Sequence, residues 1–254
     1  MLIQDSVAMV TGGASGLGAA TCDALAARGA RVAVLDIDRG RADAVAGRIG
    51  GFAVRCDVAD EAQVQDTVKR VVDEFGAPRI LVNCAGISES SLVVNRQGVP
   101  NPLANFQRLM AVHVQGTYDT TRLVAATMLG QPLLEDGERG VIINTSSVAA
   151  FDGQIGAATY SAAKAAIVGM TMPIAREFAE YGIRVNTIAP GLFMTGMVDH
   201  VRTGVLDRLL ANAPFPKRWG RPSEFARLAI EVCENVMING AVLRLDGAFR
   251  MPYK

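Results

Sequence analysis

Histidine is almost missing from this chain, aromatic residues are few, and neither sign of charge is in excess. Only His113 and His200 occur, and Cys22, Cys56, Cys84 and Cys233 contain no C-x-x-C pair, which excludes the usual zinc-binding spacings. Such scattered cysteines also make no disulfide framework, and reduced thiols are the expectation. With 25 Lys+Arg against 25 Asp+Glu, the chain offers no electrostatic footprint for nucleic acid and no polybasic patch for a membrane surface. No apolar run reaches the roughly 20 residues that span a bilayer. Met1–Asp5 begins neither a basic-then-apolar secretory signal nor an Arg-rich transit peptide, so a cytoplasmic protein is expected.

Half of the 254 residues are apolar and a fifth are charged, which excludes disorder. Single α/β domains of about 250 residues are common, and one domain over residues 1–254 is expected. Short β-branched runs alternate with longer helical stretches. Val7–Val10, Val32–Leu35, Phe52–Arg55, Ile80–Val82, Val141–Asn144, Val185–Ile188 and Val242–Leu245 read as strands. Leu17–Arg28, closed by Gly29, and Asp60–Phe75, with an Asp60/Gln63 capping box and Gly76 at its end, read as helices. Near-continuous apolar strands separated by helices predict a doubly wound, seven-stranded parallel sheet of Rossmann type with helices on both faces. Ser88–Asn101 and Gly191–Thr203 read as long loops after strands 4 and 6. Ligands bind outside the carboxyl ends of such strands, which puts both loops on the ligand side.

Three local patterns carry chemistry. After strand 1 comes Thr11-Gly12-Gly13-Ala14-Ser15-Gly16-Leu17-Gly18, with no Lys after the last glycine, so a P-loop is excluded. Gly12 suits a tight turn, Gly16 a close approach of backbone to a pyrophosphate, and Gly18 close packing of a helix whose N-terminus attracts the anion. Asp36 ends strand 2. Its carboxylate can accept hydrogen bonds from both hydroxyls of an adenosine ribose and repels a 2′-phosphate, which favours NAD over NADP. Arg39 is the nearest cation, and Asp36 has the alternative of capping the helix that begins there. Third, Tyr160 and Lys164 stand at i and i+4, on one helical face about 5–6 Å apart at Cβ. An ammonium there can lower the phenol pKa from about 10. Ser147, leaving strand 5 on the same side, can hold a substrate oxygen on which charge develops.

Taken together, these residues resemble the short-chain dehydrogenase/reductase family over essentially the whole chain. Asn83-Cys84-Ala85-Gly86 and Pro190-Gly191 are similar to its segments after strands 4 and 6. The resemblance implies that Ser147, Tyr160 and Lys164 are catalytic, with Tyr160 and Lys164 also meeting the cofactor. It implies that Ser15 and Leu17 join the glycines around that cofactor, that Asp57 and Val58 flank its adenine, and that Cys84, Ala85 and Gly86 line its groove. Pro190, Gly191 and Phe193 fall in the same groove, and Thr195 would meet the nicotinamide carboxamide. Gly140–Gly156, Ile183–Phe193 and Leu243–Met251 are most similar to the subgroup of type 2 3-hydroxyacyl-CoA dehydrogenases, also known as type 10 hydroxysteroid dehydrogenases. There, most relatives in the wider family have a second Gly at Ala248. In that subgroup Gln154 would contact substrate; the alternative is a solvated loop amide. The family's catalytic Asn falls on His113, so the proton relay behind Lys164 departs from the family pattern, or His113 is a core residue satisfied by backbone.

The expected activity is therefore NAD-linked interconversion of a secondary alcohol and its ketone, with a 3-hydroxyacyl-CoA as substrate. The rivals are a dehydrogenase of a steroid, sugar or other small alcohol, and a non-catalytic dinucleotide-binding sensor. The resemblance also implies a homotetramer packed through the helices around Leu103–Leu129 and Tyr160–Phe178.

Overall fold

In chain order the strands of the computed structural model are β1 (Val7–Thr11), β2 (Arg31–Asp36), β3 (Phe52–Arg55), β4 (Ile80–Asn83), β5 (Gly140–Thr145), β6 (Ile183–Pro190) and β7 (Val242–Leu245). The described residues are 3–195, 210 and 212–253. All seven expected strands are present, several lengthened by a residue or two at their ends. The helices are α1 (Gly16–Ala26), α2 (Arg39–Ile49), α3 (Glu61–Phe75), α4 (Leu103–Met110), α5 (Gly116–Met128), α6 (Ala158–Ala179) and α7 (Pro222–Glu234). The expected long helix over Leu103–Leu129 is interrupted: a π-turn at Ala111–Gln115, with His113 at its centre, joins α4 to α5. The loop after β4 carries a bridge between Val94 and Pro100, and of the loop after β6 residues 196–203 lie outside the described part.

The strand order is β3-β2-β1-β4-β5-β6-β7, and every pairing is parallel. The chain winds outward from β1 to β3, then returns to the other side of β1 and winds outward again. Between β1 and β4 the direction reverses, and a crevice opens at their carboxyl ends. Alternation within buried strands feeds two cores. On β1, Ala8 and Val10 face Leu25 of α1, Val45 of α2 and Phe225 of α7. Val7 and Met9 face Val68 of α3, Val124 of α5 and Ala175 of α6.

Polar residues interrupt this pattern at the carboxyl edge. Thr11, Asn83, Asn144 and Thr187 lie in register across β1, β4, β5 and β6, all of them buried. The Asn83 amide donates to Asn144 Oδ1 at 2.9 Å and to Thr121 Oγ1 at 3.3 Å, while its carbonyl accepts from Thr120 Oγ1 at 2.8 Å. Thr187 meets Thr171 of α6 at 2.6 Å. Charge locks the opposite edge: Arg184 pairs with the equally buried Glu138 at 2.8 Å and donates to the Val232 and Cys233 carbonyls of α7.

The helix caps also differ from expectation. Asp60 does accept from the Gln63 N–H, but the Gln63 side chain does not close the box on Asp60 N. It donates to the Asp60 carboxylate at 2.8 Å and accepts from Asp57 N at 3.2 Å, which fixes the loop after β3 instead. Asp38, not Asp36, caps α2. Removing the hub of the carboxyl-edge row, Asn83→Ala, leaves buried groups of Asn144 and Thr11 short of a partner. It is expected to cost about 1–3 kcal/mol in urea unfolding, and an unchanged midpoint would refute that role.

Candidate active site

Every site residue singled out from the sequence lines one cleft of about 450 Å³ at the β1/β4 crevice. Its floor is the glycine turn. Gly12 adopts φ +63°, and a Cβ there would lie 2.7 Å from Ala85 N, so only glycine lets the β1 and β4 loops touch. A Cβ on Gly18 would strike the Gly12 carbonyl oxygen, which confirms the reading of close helix packing. Ser15 is the exposed N-cap residue of α1 and its side chain makes no cap bond. Leu17 follows in the first turn.

At the far end of the floor, Asp36 is the last residue of β2. Its carboxylate accepts from Ala14 N at 3.1 Å and from Asp38 N at 3.0 Å, which ties the strand end to the glycine turn. Exposed Ile37 and buried Val58 border the same region, with Asp57 between the cap of α3 and the cleft. Cys84 is half-buried and accepts from Thr145 Oγ1 at 3.5 Å; burial pushes its thiol up to about 11, so it stays protonated. Across the cleft Phe193 pairs by a backbone bridge with Gly220. Thr195 arches back over the floor, where a Cβ on Gly16 would come within 3.2 Å of its side chain.

Ser147, Tyr160 and Lys164 are brought together by the end of β5 and by α6. Ser147, in extended backbone, opens a short turn and accepts from Ala149 N at 3.1 Å. Lys164, 4% exposed, donates from Nζ to the Thr145 carbonyl at 2.9 Å, while Ser146 Oγ donates to the Lys164 carbonyl at 2.8 Å. Helix and strand end are thus stitched together beneath the cleft. Nζ lies 5.7 Å from the centre of the Tyr160 ring. The expected lowering of the phenol is corrected here: burial pushes Tyr160 above its ordinary pKa, and only Ser147 pulls it down. Burial acts on Lys164 as well and lowers it to about 8. Desolvation therefore outweighs the mutual help that an ammonium and a phenolate would give each other.

His113 is 1% exposed and stands edge-on to Tyr160, ring centres 5.5 Å apart and planes at 85°. Its Nε2 lies 2.8 Å from the Ile87 carbonyl and 3.2 Å from the Ile87 N–H. The shorter contact makes Nε2 the protonated nitrogen, leaving a buried Nδ1 lone pair with no hydrogen-bond partner among the described residues. The imidazole closes on the loop after β4 so tightly that a Cβ on Gly86 would lie 2.6 Å from Cε1. Burial and the neighbouring Lys164 drive its pKa down to about 3.

Sequence reasoning missed part of the wall. Leu192, Trp219 and Met251 also line the cleft. Trp219 is the one tryptophan of the chain, a signal that was available; Met251 ends the Leu243–Met251 stretch, which was read for its resemblance and not for a place in the cleft.

A parallel sheet with a glycine cradle at its switch point, an acidic strand end and a Ser/Tyr/Lys cluster defines a dinucleotide-binding α/β enzyme fold. The cradle also fits such a group physically, since glycine positions hold its floor open and the N-terminus of α1 faces it. The short chain dehydrogenase family model matches residues 6–206. The chain belongs to that family and is an oxidoreductase. It is 46% identical over 253 residues to the 3-hydroxyacyl-CoA dehydrogenase type-2 of Drosophila melanogaster, covering 98% of this chain and 99% of the relative. The crystal structure of 3-hydroxyacyl-CoA dehydrogenase type-2 from Mycobacterium avium superposes with TM-score 0.91 at 38% identity, covering 98% of each chain. That of 3-ketoacyl-(acyl-carrier-protein) reductase from Brucella melitensis complexed with NADH superposes at TM-score 0.87 and 30% identity, covering 98% of this chain and all of that one.

His113 allows a test that does not depend on substrate. A histidine held neutral in the fold but free to protonate when unfolded lowers stability as pH falls from about 6.5. The loss continues until the folded pKa of about 3 is reached. The wild type is therefore expected to lose more stability than His113→Asn between neutral pH and pH values near 4, measured by urea unfolding. Parallel curves would show that the imidazole is not held neutral.

Proposed function

We propose that this protein is an NAD-dependent dehydrogenase that interconverts (S)-3-hydroxyacyl-CoA and 3-oxoacyl-CoA. The observation that carries the reading is the meeting of Ser147, Tyr160 and Lys164 at one end of a cleft whose other end is closed by Asp36. The names of the most similar relatives support the substrate class. Preference for NAD over NADP rests on the Asp36 carboxylate, and Arg39, the nearest cation in sequence, is engaged with Asp43 at 2.8 Å on α2.

When bound, the nicotinamide dinucleotide supplies the hydride acceptor for the alcohol and the hydride donor for the ketone. Tyr160 removes the hydroxyl proton in oxidation and returns it in reduction. Ser147, which lines the same cleft, holds the same substrate oxygen as its charge changes. Lys164 is anchored by the Thr145 carbonyl and keeps further N–H donors for the ribose and the relay beneath Tyr160. Gln154 contacts the substrate from the loop after β5, on the cleft wall. His113 holds the Ile87 backbone and the Tyr160 ring in place rather than transferring a proton itself, since it is neutral throughout the working range.

Two further parts belong to the same reading. A homotetramer packed through α4, α5 and α6 is supported by exposed Tyr118, Leu129 and Met172 and by a groove of about 310 Å³ between α5 and α6. A cytoplasmic setting is supported by the four free cysteines. No described helix is long and apolar enough to cross a membrane.

The decisive experiment follows NADH formation over 3-hydroxyacyl-CoAs, free 3-hydroxy acids, steroid alcohols and sugar alcohols. Short 3-hydroxyacyl-CoAs are expected to exceed the free acids in kcat/KM, because remote contacts orient the reacting carbon. Turnover of a steroid or sugar alcohol without any acyl thioester would replace this reading by its nearest rival, and no turnover at all would leave a binding protein. Tyr160→Phe and Ser147→Ala are each expected to lower the rate on the order of 10² or more. Asp36→Ala is expected to erode the preference for NAD; a wild type that already favours NADP would defeat the cofactor assignment.

The pH dependence has a definite sign. Oxidation needs the deprotonated base, so kcat/KM is expected to rise through the alkaline range as the Tyr160–Lys164 pair loses its proton. Near pH 6.5 no limb is expected, because His113 titrates at about 3. A limb near 6.5 that vanishes in His113→Asn would instead assign the imidazole to proton transfer.

A further inference from the structure

The segment after β7 reaches the cleft at Met251 and is held by charge. Arg244, the third residue of β7, donates from Nε to Asp246 at 2.8 Å and from Nη2 to Asp152 at 2.7 Å, with a longer contact to the Phe249 carbonyl at 3.3 Å. Its guanidinium lies 4.9 Å from the centre of the Phe151 ring. Arg250 closes the cluster on Asp246 at 3.2 Å and on the Phe249 carbonyl at 2.8 Å. One planar fork therefore joins the segment after β7 to the loop after β5, two residues before Gln154. Arg244 and Asp152 are about three-quarters shielded and Asp246 is nearly buried, so this is no solvated surface pair.

The backbone shows the same constraint. Ala248 is held at φ +62°, a conformation that side chains seldom adopt, with its N–H on Asp246 Oδ1 at 2.9 Å. Phe249, 1% exposed, then turns inward onto Val148 and Leu192, and Met251 packs on the same cluster while lining the cleft. Further on, the Tyr253 carbonyl accepts from Ile155 N at 3.1 Å, so the strap is pinned on both sides of Met251.

Polarity gives the strap a direction in the cleft. Ser88, Glu89 and Ser90 make one lip polar, which suits the hydrophilic carrier end of a thioester. Leu192 and Met251, backed by buried Val148 and Phe249, make an apolar stretch of the cleft wall that suits hydrocarbon. We infer that Met251, carried on the Asp246–Tyr253 strap, sets the length of acyl chain the site accepts, and that Arg244 is the positioning residue that holds the strap in place. This rests on the acyl-thioester reading. It goes beyond that reading by assigning chain-length selection to a residue far from Ser147, Tyr160 and Lys164 in sequence.

The test measures kcat and KM for short-, medium- and long-chain 3-hydroxyacyl-CoAs, with NADH affinity followed by fluorescence. Met251→Ala is expected to raise the long-to-short ratio of kcat/KM by roughly tenfold, and Met251→Trp to lower it by a similar factor. Arg244→Met should flatten the chain-length profile through KM for the longer chains while leaving NADH affinity and kcat for the shortest chain unchanged. Added to Met251→Ala it should have little further effect, because it acts through that side chain. Profiles that superimpose for the wild type and both Met251 variants would overturn the inference while the acyl-thioester reading stands. Failure of the wild type to turn over any acyl thioester would overturn both. Should Arg244→Met fail to fold, the Met251 pair decides alone.

Discussion

The site depends on a row of buried hydrogen bonds that no apolar packing could replace. Thr11, Asn83, Asn144 and Thr187 sit side by side across four strands just where the sheet ends and the cleft begins. Each must be satisfied without water, and they satisfy one another and the helices behind them: Asn83 takes Thr120 and Thr121 of α5, Thr187 takes Thr171 of α6. Hydrophobic contact alone would tolerate small sliding of helix on sheet. A hydrogen-bonded row does not, because a shift of an ångström leaves buried donors unpaired at about 1–3 kcal/mol each. The helix that carries Tyr160 and Lys164, the strand end that carries Ser147 and the turn that carries Gly12 are all referred to this one row.

Desolvation sets the electrostatics of the cleft. Tyr160 is raised, Lys164 lowered to about 8 and His113 lowered to about 3, and burial is the leading cause in all three. All three shifts favour the neutral form. Burial brings Lys164 into the range where its charged and neutral forms lie close in energy near neutral pH. The imidazole at 113 is pushed out of it. Its contacts are steric and directional: it occupies the space that glycine leaves at position 86 and meets the Ile87 backbone.

Much of this was written locally. Short, near-continuous apolar runs announce the seven strands, because a parallel strand buried on both faces needs apolar side chains on both. Gly12, Gly18 and Asp36 could be read because steric and charge requirements at a strand-to-helix turn restrict the residue type at fixed offsets. Tyr160 and Lys164 share a face by helical spacing alone. Other features depend on partners distant in the chain. Nothing near His113 foretells a π-turn or a pKa near 3, since both come from packing against Gly86, Ile87 and Lys164. Asp38 takes the cap of α2 because the Asp36 carboxylate is engaged by the Ala14 and Asp38 N–H groups, and the first of those partners comes from the turn after β1. The raised phenol of Tyr160 reverses the expectation drawn from its spacing to Lys164, for spacing records distance and not burial. Met251 lines the cleft on a segment tied to the loop after β5 by the Arg244–Asp152 pair, 92 residues apart, and by the Ile155–Tyr253 backbone bond. Local pattern reports what each segment must be; burial and long-range pairing depend on which segments meet, and only the folded chain brings them together.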